Sequence, residues 1–409
     1  MKILYFHQHF STRQGATGTR SYEFARRMVS RGHEVTVVCG SYGVGHTGLG
    51  GEFAAGVRRG IVDGIDVVEL HLPYSNADSF LRRAWTFLRF VKSSLRFALA
   101  PGYDLLFATS TPLTAAIPGI IFRAVRRRPF VFEVRDLWPE LPRAMGAIRN
   151  PIILWSMDVL ETAAYRSADA CIGLAPGIVA GILRKAPDKR VAMIPNGSDL
   201  GLEEASSEVP HALDRLLESL DGKLKCIFAG AHGMANGLEA VLDAAAELKK
   251  RGNDDVVFLF IGEGMMKPGL QERAMRERLD NCVFLDPVPK QILTTLQSRM
   301  DVGLMVLKNV PAFYDGTSPN KFFDYLSSGL AVLINYPGWL ASLVSSKNCG
   351  IAVPPDDPRA FADAIQRLQT ASGMRREMGA NARALAVQEF DRERLAGQFI
   401  QFVETVGGV

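Results

Sequence analysis

Two stretches of the chain repeat one phrase of hydrophobic and polar positions. Lys2–His7 is a short β-rich run. Ser11–Thr19 is a polar loop with Gly15 and Gly18, and Arg20–Arg31 sets Tyr22, Phe24, Ala25, Met28 and Val29 at helical spacing. Gly32 stands where a helix stops, and Glu34–Cys39 is a β-branched run suited to burial on both faces. The phrase returns as strand Leu224–Ala229, glycine loop Gly230–Gly237, amphipathic helix Leu238–Arg251, Gly252 and strand Val256–Ile261. Two β–loop–α–β openings so far apart predict two Rossmann-like domains. Further strands are expected at Asp104–Ala108, Phe130–Val134, Ala170–Leu174, Val191–Ile194, Cys282–Leu285, Val302–Val306 and Ala331–Asn335, alternating with helical patterns as parallel sheets require. Arg359–Gln369, Met374–Gln388 and about Arg392–Val406 read as helices, and the acidic stretch Ser198–Gly222 as the linker.

Charge adds an asymmetry. Residues 1–199 carry 25 Lys+Arg against 16 Asp+Glu, a net +9, whereas the remainder carries a net −5. A basic first half suits anionic lipid or phosphorylated substrates. Its helical stretch Ser79–Ala100 gathers Arg82, Arg89, Lys92 and Arg96 in one stripe, with Leu81, Ala84, Phe87, Leu88, Val91 and Leu95 around the rest. That is the pattern of an interfacial helix, and Arg123, Arg126, Arg127 and Arg128 add a second basic cluster. No recognition motif points to nucleic acid. The five scattered cysteines read as isolated reduced thiols of a cytoplasmic protein. No apolar run reaches the ~20 residues of a membrane span, and the first ten residues do not read as a signal peptide.

Two motifs carry candidate chemistry. In Asp315–Asn335, Ser318 is an expected N-cap, Pro319 suits the first helical position, and Gly329 ends the helix. The amides of Asn320, Lys321 and Phe322 would then face an anion, with the Lys321 ammonium beside them. Asp324, one turn on, could accept hydrogen bonds from ribose hydroxyls. In Glu133–Glu140, Arg135 and Asp136 follow a strand and so belong at its carboxyl end, where substrates bind. Neither opening strand is followed by Gly-x-Gly-x-x-Gly, which disfavours a dinucleotide dehydrogenase. Neither Asp-x-Asp nor a His/carboxylate cluster with metal spacing is present, so no metal or other cofactor is expected. A leaving anion would be stabilised by Lys, Arg and backbone dipoles.

The chain resembles retaining glycosyltransferases of family 4. The likeness rests on GATGTRSYEFARRMVSRGHEVTVV, IPNGSDL at Ile194–Leu200, FIGEG at Phe260–Gly264 and SPNKFFDYLSSGLAVL. RDLWPEL, AGAHGMANGLE and SPNKFFDYL together resemble a bacterial O-antigen and capsule subfamily that includes transferases of N-acetylfucosamine-type sugars. The resemblance implies the α/β GT-B fold, with two Rossmann-like domains of parallel sheets across a cleft. Residues 1–199, joined by a returning helix at about 391–409, would bind the acceptor, and residues 200–390 the nucleotide-sugar donor. It implies metal-free hexosyl transfer from a UDP-sugar, with retention, to a saccharide on polyprenyl diphosphate. The enzyme would be cytoplasmic and peripheral on the inner membrane.

By the same resemblance Gly15 and Gly18 lie near the donor phosphates, Gly262, Glu263 and Gly264 beside the nucleotide, and Val288 by the base. Asp324 matches the ribose-holding acid of the family's Glu-x7-Glu motif. The first acid of that motif falls on Gly316 here, with Ser318 nearby. The usual Arg/Lys pair of the second domain is absent, and its loop offers His232 and Asn236. Lys321, with Arg20, is expected to take over the diphosphate charge. The family's His-Asp reads Arg135-Asp136, which would hold and position the acceptor. Rival readings are another GT-B enzyme, such as a nucleotide-sugar epimerase or a soluble small-acceptor transferase, and a non-catalytic scaffold.

Overall fold

The computed structural model describes residues 1–75, 78–201 and 209–408, and divides into two units. The first comprises Met1–Pro195, Asp315–Ser318 and Glu393–Val409. It runs β1 (Lys2–Phe6), α1 (Arg20–Ser30), β2 (Glu34–Tyr42), β3 (Val57–Val62), β4 (Ile65–Tyr74), α2 (Phe80–Ala98), β5 (Leu105–Thr109), α3 (Ala116–Arg126), β6 (Phe130–Val134), α4 (Glu140–Ala144), α5 (Pro151–Ser167), β7 (Ala170–Gly173), α6 (Pro176–Lys185) and β8 (Arg190–Met193). The strand order is β3-β4-β2-β1-β5-β6-β7-β8, and β3 alone runs antiparallel. Ile3, Leu4, Tyr5 and Phe6 are all buried, because helices cover both faces of a parallel sheet. Right-handed crossovers place α2, α3 and α5 on the same face, where α2 packs beside α3 and α3 beside α5.

The second unit comprises Asn196–Tyr314 and Pro319–Arg392. Its elements are α7 (His211–Ser219), β9 (Leu224–Ala229), α8 (Glu239–Lys250), β10 (Val256–Ile261), α9 (Lys267–Arg276), β11 (Cys282–Leu285), α10 (Lys290–Gln297), β12 (Val302–Met305), α11 (Asn320–Ser327), β13 (Ala331–Ile334), α12 (Trp339–Ser346), β14 (Gly350–Ala352), α13 (Pro358–Thr370) and α14 (Ser372–Glu389). The sheet β11-β10-β9-β12-β13-β14 is wholly parallel. The last helix, α15 (Arg392–Gly407), packs in the first unit's core, with Phe399 against Phe24 and Phe107.

The expected strands fall within a residue or two of those observed, except that β2 runs three residues past the expected Glu34–Cys39, to Tyr42. The β3–β4 hairpin goes unread in the hydrophobic pattern, although Asp63-Gly64 between its strands marks it. Both residues have positive φ, 49° and 81°, as a tight two-residue hairpin turn demands. Part of the expected linker, residues 202–208, lies outside the described residues. No helix among the described residues is long and apolar enough to cross a membrane.

Candidate active site

In the second unit, the loops after β9 and β10 lock together through their backbones. The Gly230 amide donates to Ile261 O (2.9 Å), and the His232 amide to Glu263 O (2.8 Å). A Cβ on Gly262 would collide with the Gly230 carbonyl, and one on Gly264 would come within 2.5 Å of His232 O. Glycine is therefore required at both positions to let the two backbones approach.

Lys321, in the first turn of α11, reaches under this cradle. Its Nζ donates to Asn236 Oδ1 (2.6 Å) and stands 4.2 Å from the centroid of the Phe228 ring. Asn236 is itself held by donating from Nδ2 to Ala231 O (2.7 Å). Among the described residues no carboxylate pairs with Lys321, and burial pulls its ammonium down to about 7. The helix is seated by Tyr325, whose hydroxyl accepts the Ala229 amide (3.1 Å). Gly303 on β12 makes room for that ring, since a Cβ there would overlap it.

Asp324 does not pair with Lys321. It is buried and forms an ion pair with Lys290, the first residue of α10. The Lys290 ammonium also lies 3.9 Å from Asp199, which Arg392 Nε holds at 2.6 Å. Sequence reasoning missed Lys290; the run Val288-Pro289-Lys290 opening a helix after β11 was its signal. Val288 sits half-buried just ahead of that helix. Glu263 is exposed, 3.4 Å from Lys267 Nζ.

Several expectations need correction. Ser318 is not the N-cap: the helix begins at Asn320, Pro319 occupies the cap position in extended conformation, and no side chain caps it. Ser318 falls instead in the segment grouped with the first unit. The Phe322 amide is used up on Pro319 O (3.1 Å) and its ring is fully buried, leaving the amides of Asn320 and Lys321 for a ligand. The Asn320 Oδ1 is buried without a partner. His232 is sunk among Phe228, Phe260 and Phe284 at 0% exposure, below the loop rather than on it. Burial, then the charge of Lys267, lowers its imidazole to about 4.

In the first unit, Arg135 and Asp136 follow β6, as their position in the sequence predicts. The Arg135 amide donates to Ser110 Oγ (2.8 Å), and its guanidinium meets His7 Nε2 at 3.5 Å. Burial raises the Asp136 carboxyl, with the Arg135 charge opposing. His7 and His9 leave the end of β1 and complete the cluster. His9 packs on Tyr42, Tyr74 and Phe87. Burial, then Arg135, depresses both imidazoles, that of His9 to about 3. The RDLWPE motif holds no histidine, yet β1 supplies two; the signal was His-Gln-His at the carboxyl end of the first strand.

Arg20 is not free to grip phosphate. Fully buried, it donates from Nε to Glu133 Oε2 (2.9 Å), from Nη1 to Pro195 O (2.6 Å) and from Nη2 to Ile194 O (2.9 Å). Gly15 is likewise buried, packed so closely that a Cβ there would strike Ser11 Oγ and the His46 amide. Gly18 remains partly exposed just before α1.

Comparison with known proteins follows this division. Residues 15–197 match the model of a glycosyl transferase 4-like domain, and residues 223–371 that of glycosyl transferases group 1. The chain is 24% identical over 273 residues to an α-D-kanosaminyltransferase of Streptomyces kanamyceticus, covering 64% of this chain and 65% of that protein. It is 26% identical over 250 residues to the putative colanic acid biosynthesis glycosyl transferase WcaI of Escherichia coli K12, covering 59% of each. The match thus spans less than two thirds of either relative. In fold it is similar to Anabaena HepE, solved in complex with UDP and glucose. The TM-score is 0.69 at 17% identity, over 99% of this chain and 100% of that one.

Proposed function

We propose that this chain, a glycosyltransferase of the family 4 type with the GT-B fold, moves a hexose-type sugar with retention from a UDP-sugar to a lipid-linked saccharide in bacterial surface polysaccharide assembly. The second unit holds the donor and the first the acceptor. The observation that carries this reading is Lys321, a half-buried cation with no carboxylate partner among the described residues, fixed by Asn236 and Phe228 beneath a glycine cradle. The UDP of the HepE complex supports the uridine donor, and the likeness to WcaI supports the polysaccharide setting.

Negative charge grows on the departing diphosphate as its bond to the anomeric carbon breaks. The Lys321 ammonium and the amides of Asn320 and Lys321 stabilise that charge. The acceptor hydroxyl attacks from the same face, and its proton passes to the leaving phosphate oxygen. Asp136 positions that hydroxyl, and Arg135 braces Asp136 from beside His7. Asp324, with Lys290 alongside, receives the ribose hydroxyls.

A thermal-shift panel with UDP, GDP, ADP, TDP and CMP tests the donor class. A ligand at 100 times its Kd stabilises the folded state by roughly 2.7 kcal/mol. UDP alone should raise the melting temperature, and Asp324→Ala should abolish the shift. Stabilisation by another nucleotide would overturn the uridine assignment, and no shift with any would favour a non-catalytic scaffold.

The membrane setting rests on one face of the first unit. Leu81, Trp85 and Leu88 of α2, Val125 of α3, and Ile152, Trp155 and Val159 of α5 are all exposed. Arg126, Arg127 and Arg128 stand exposed beside them. Apolar wedges with interfacial tryptophans and a basic surround suit an anionic bilayer. The protein should float with phosphatidylglycerol vesicles but not with neutral ones. Ile152→Ser with Trp155→Ser should weaken flotation about tenfold through lost apolar burial. Undiminished flotation of that double variant would remove α5 from the membrane face.

A further inference from the structure

Between α2 and the β3–β4 hairpin lies a trough of about 630 Å³. Val57, Leu70 and Leu72 line its hairpin side, and Trp85 and Leu88 line it from α2. Trp85 is 63% exposed and Leu88 54% exposed, so none of the described residues covers this apolar surface. The α2 side is completed by Arg89, Lys92 and Arg96. Their spacing of three and four residues stacks them on one side of the helix, along about 10 Å of its length.

Several arginines of this unit are paired with carboxylates. Arg58, Arg59, Arg82 and Arg123 each have a carboxylate within 3.2 Å or less. Among the described residues Arg89, Lys92 and Arg96 have none, and no acidic residue lines the trough. Helix α2 contains no Asp or Glu at all. Like charges one turn apart repel, and an anion sitting on such a row relieves that repulsion. Arginine forks match phosphate oxygens two at a time, and a ligand with two linked phosphates can touch more than one of the three.

The trough also has a direction. β3 runs antiparallel to β4, and Val57 pairs with Leu70, so the trough lies toward the carboxyl end of β4. There Tyr74 stacks on Phe87 of α2 at 5.6 Å, and His9 packs on Tyr74 at 4.5 Å. This aromatic layer joins the trough to the His7, His9 and Arg135 cluster within one unit.

We propose that the trough binds the lipid diphosphate end of the acceptor, with hydrocarbon against Trp85, Leu88 and Leu72 and phosphates on Arg89, Lys92 and Arg96. This rests on the acceptor being lipid-linked, as inferred above. The saccharide then extends past Phe87 toward Asp136, so the trough fixes how far the reacting hydroxyl lies from the lipid.

The test uses the full chain without vesicles and a soluble short-chain lipid diphosphate, farnesyl diphosphate, by calorimetric titration. Farnesol and inorganic pyrophosphate are titrated in parallel, and UDP separately. Wild-type protein should bind farnesyl diphosphate at least tenfold more tightly than farnesol or pyrophosphate. Combined Arg89→Gln, Lys92→Gln and Arg96→Gln should weaken that binding at least tenfold and leave UDP binding unchanged. Those residues are exposed, and denaturant unfolding followed by a probe in the first unit shows whether that unit of the variant is folded. Equal binding of farnesyl diphosphate by wild type and variant would overturn the proposal. Pyrophosphate binding as tightly would make the trough a free-phosphate site, and farnesol binding as tightly an apolar slot; either result also overturns it. Failure of the donor reading looks different: wild type would then bind no UDP, whatever happens in the trough.

Discussion

Lys321→Met should lower the transfer rate about 10²–10³-fold, the usual cost of removing one preorganised group facing developing negative charge. Methionine preserves the stem that packs over Phe228 and beneath Gly230, so the fold should survive. The loss should fall on kcat and kcat/KM together, because the charge matters most when the diphosphate departs. Wild-type turnover in the variant would remove Lys321 from the mechanism. Lys321→Arg should not rescue, since a planar guanidinium cannot occupy the compact space beside Asn236.

The same lysine imposes a pH dependence on donor binding. Burial lowers its ammonium to about 7 in the free protein, whereas a bound diphosphate favours the charged form and raises it. Above pH 7 the free protein holds Lys321 increasingly neutral, so binding must take up a proton and UDP affinity should decline. Below pH 7 the group is already charged, and that dependence flattens. Calorimetry in buffers of different ionisation heat should detect the uptake at pH 8 in the wild type and not in Lys321→Met. Equal uptake in both would assign the proton to another group.

What the sequence discloses and what it hides divide along physical lines. Period and punctuation disclose the parallel strands of both sheets, because strands buried on both faces read as unbroken apolar runs, as Val256–Ile261 does. The placing of Arg135 and Asp136 follows from the same rule, since a strand's end is visible in its pattern. The β3–β4 hairpin was harder to see. Its edge strand Val57–Val62 is half exposed and carries two arginines, so only the Asp63-Gly64 turn marks it. Partnerships between distant residues leave no local trace. Nothing near Asp324 names Lys290, nothing near Arg135 names His7, and nothing near Lys321 names Asn236. Burial is equally silent for long polar side chains. Arg20 and His232 read as ligands because each stands in a glycine-rich loop or at its helix, yet both lie in the interior.

Arg20→Met should destabilise the first unit by about 3–5 kcal/mol, the cost of leaving a buried charge without its partner. Arg20 is fully buried, with its guanidinium on Glu133, on the carbonyls of Ile194 and Pro195, and over the Phe24 ring at 4.4 Å. Among the described residues Glu133 would keep only the Thr109 hydroxyl (2.9 Å). Adding Glu133→Gln removes the orphaned carboxylate and should recover part of the loss. It should not recover all, because the carbonyls of Ile194 and Pro195 still lack their donors. The measurement is denaturant unfolding followed by a probe in the first unit, since two units need not unfold together. Donor affinity decides between the core role and the phosphate role expected from sequence. If Arg20 held phosphate, its replacement would weaken UDP binding while stability stayed intact. The packing around it demands the reverse: a large fall in stability, partial recovery in the double variant, and unchanged UDP affinity in the protein that remains folded.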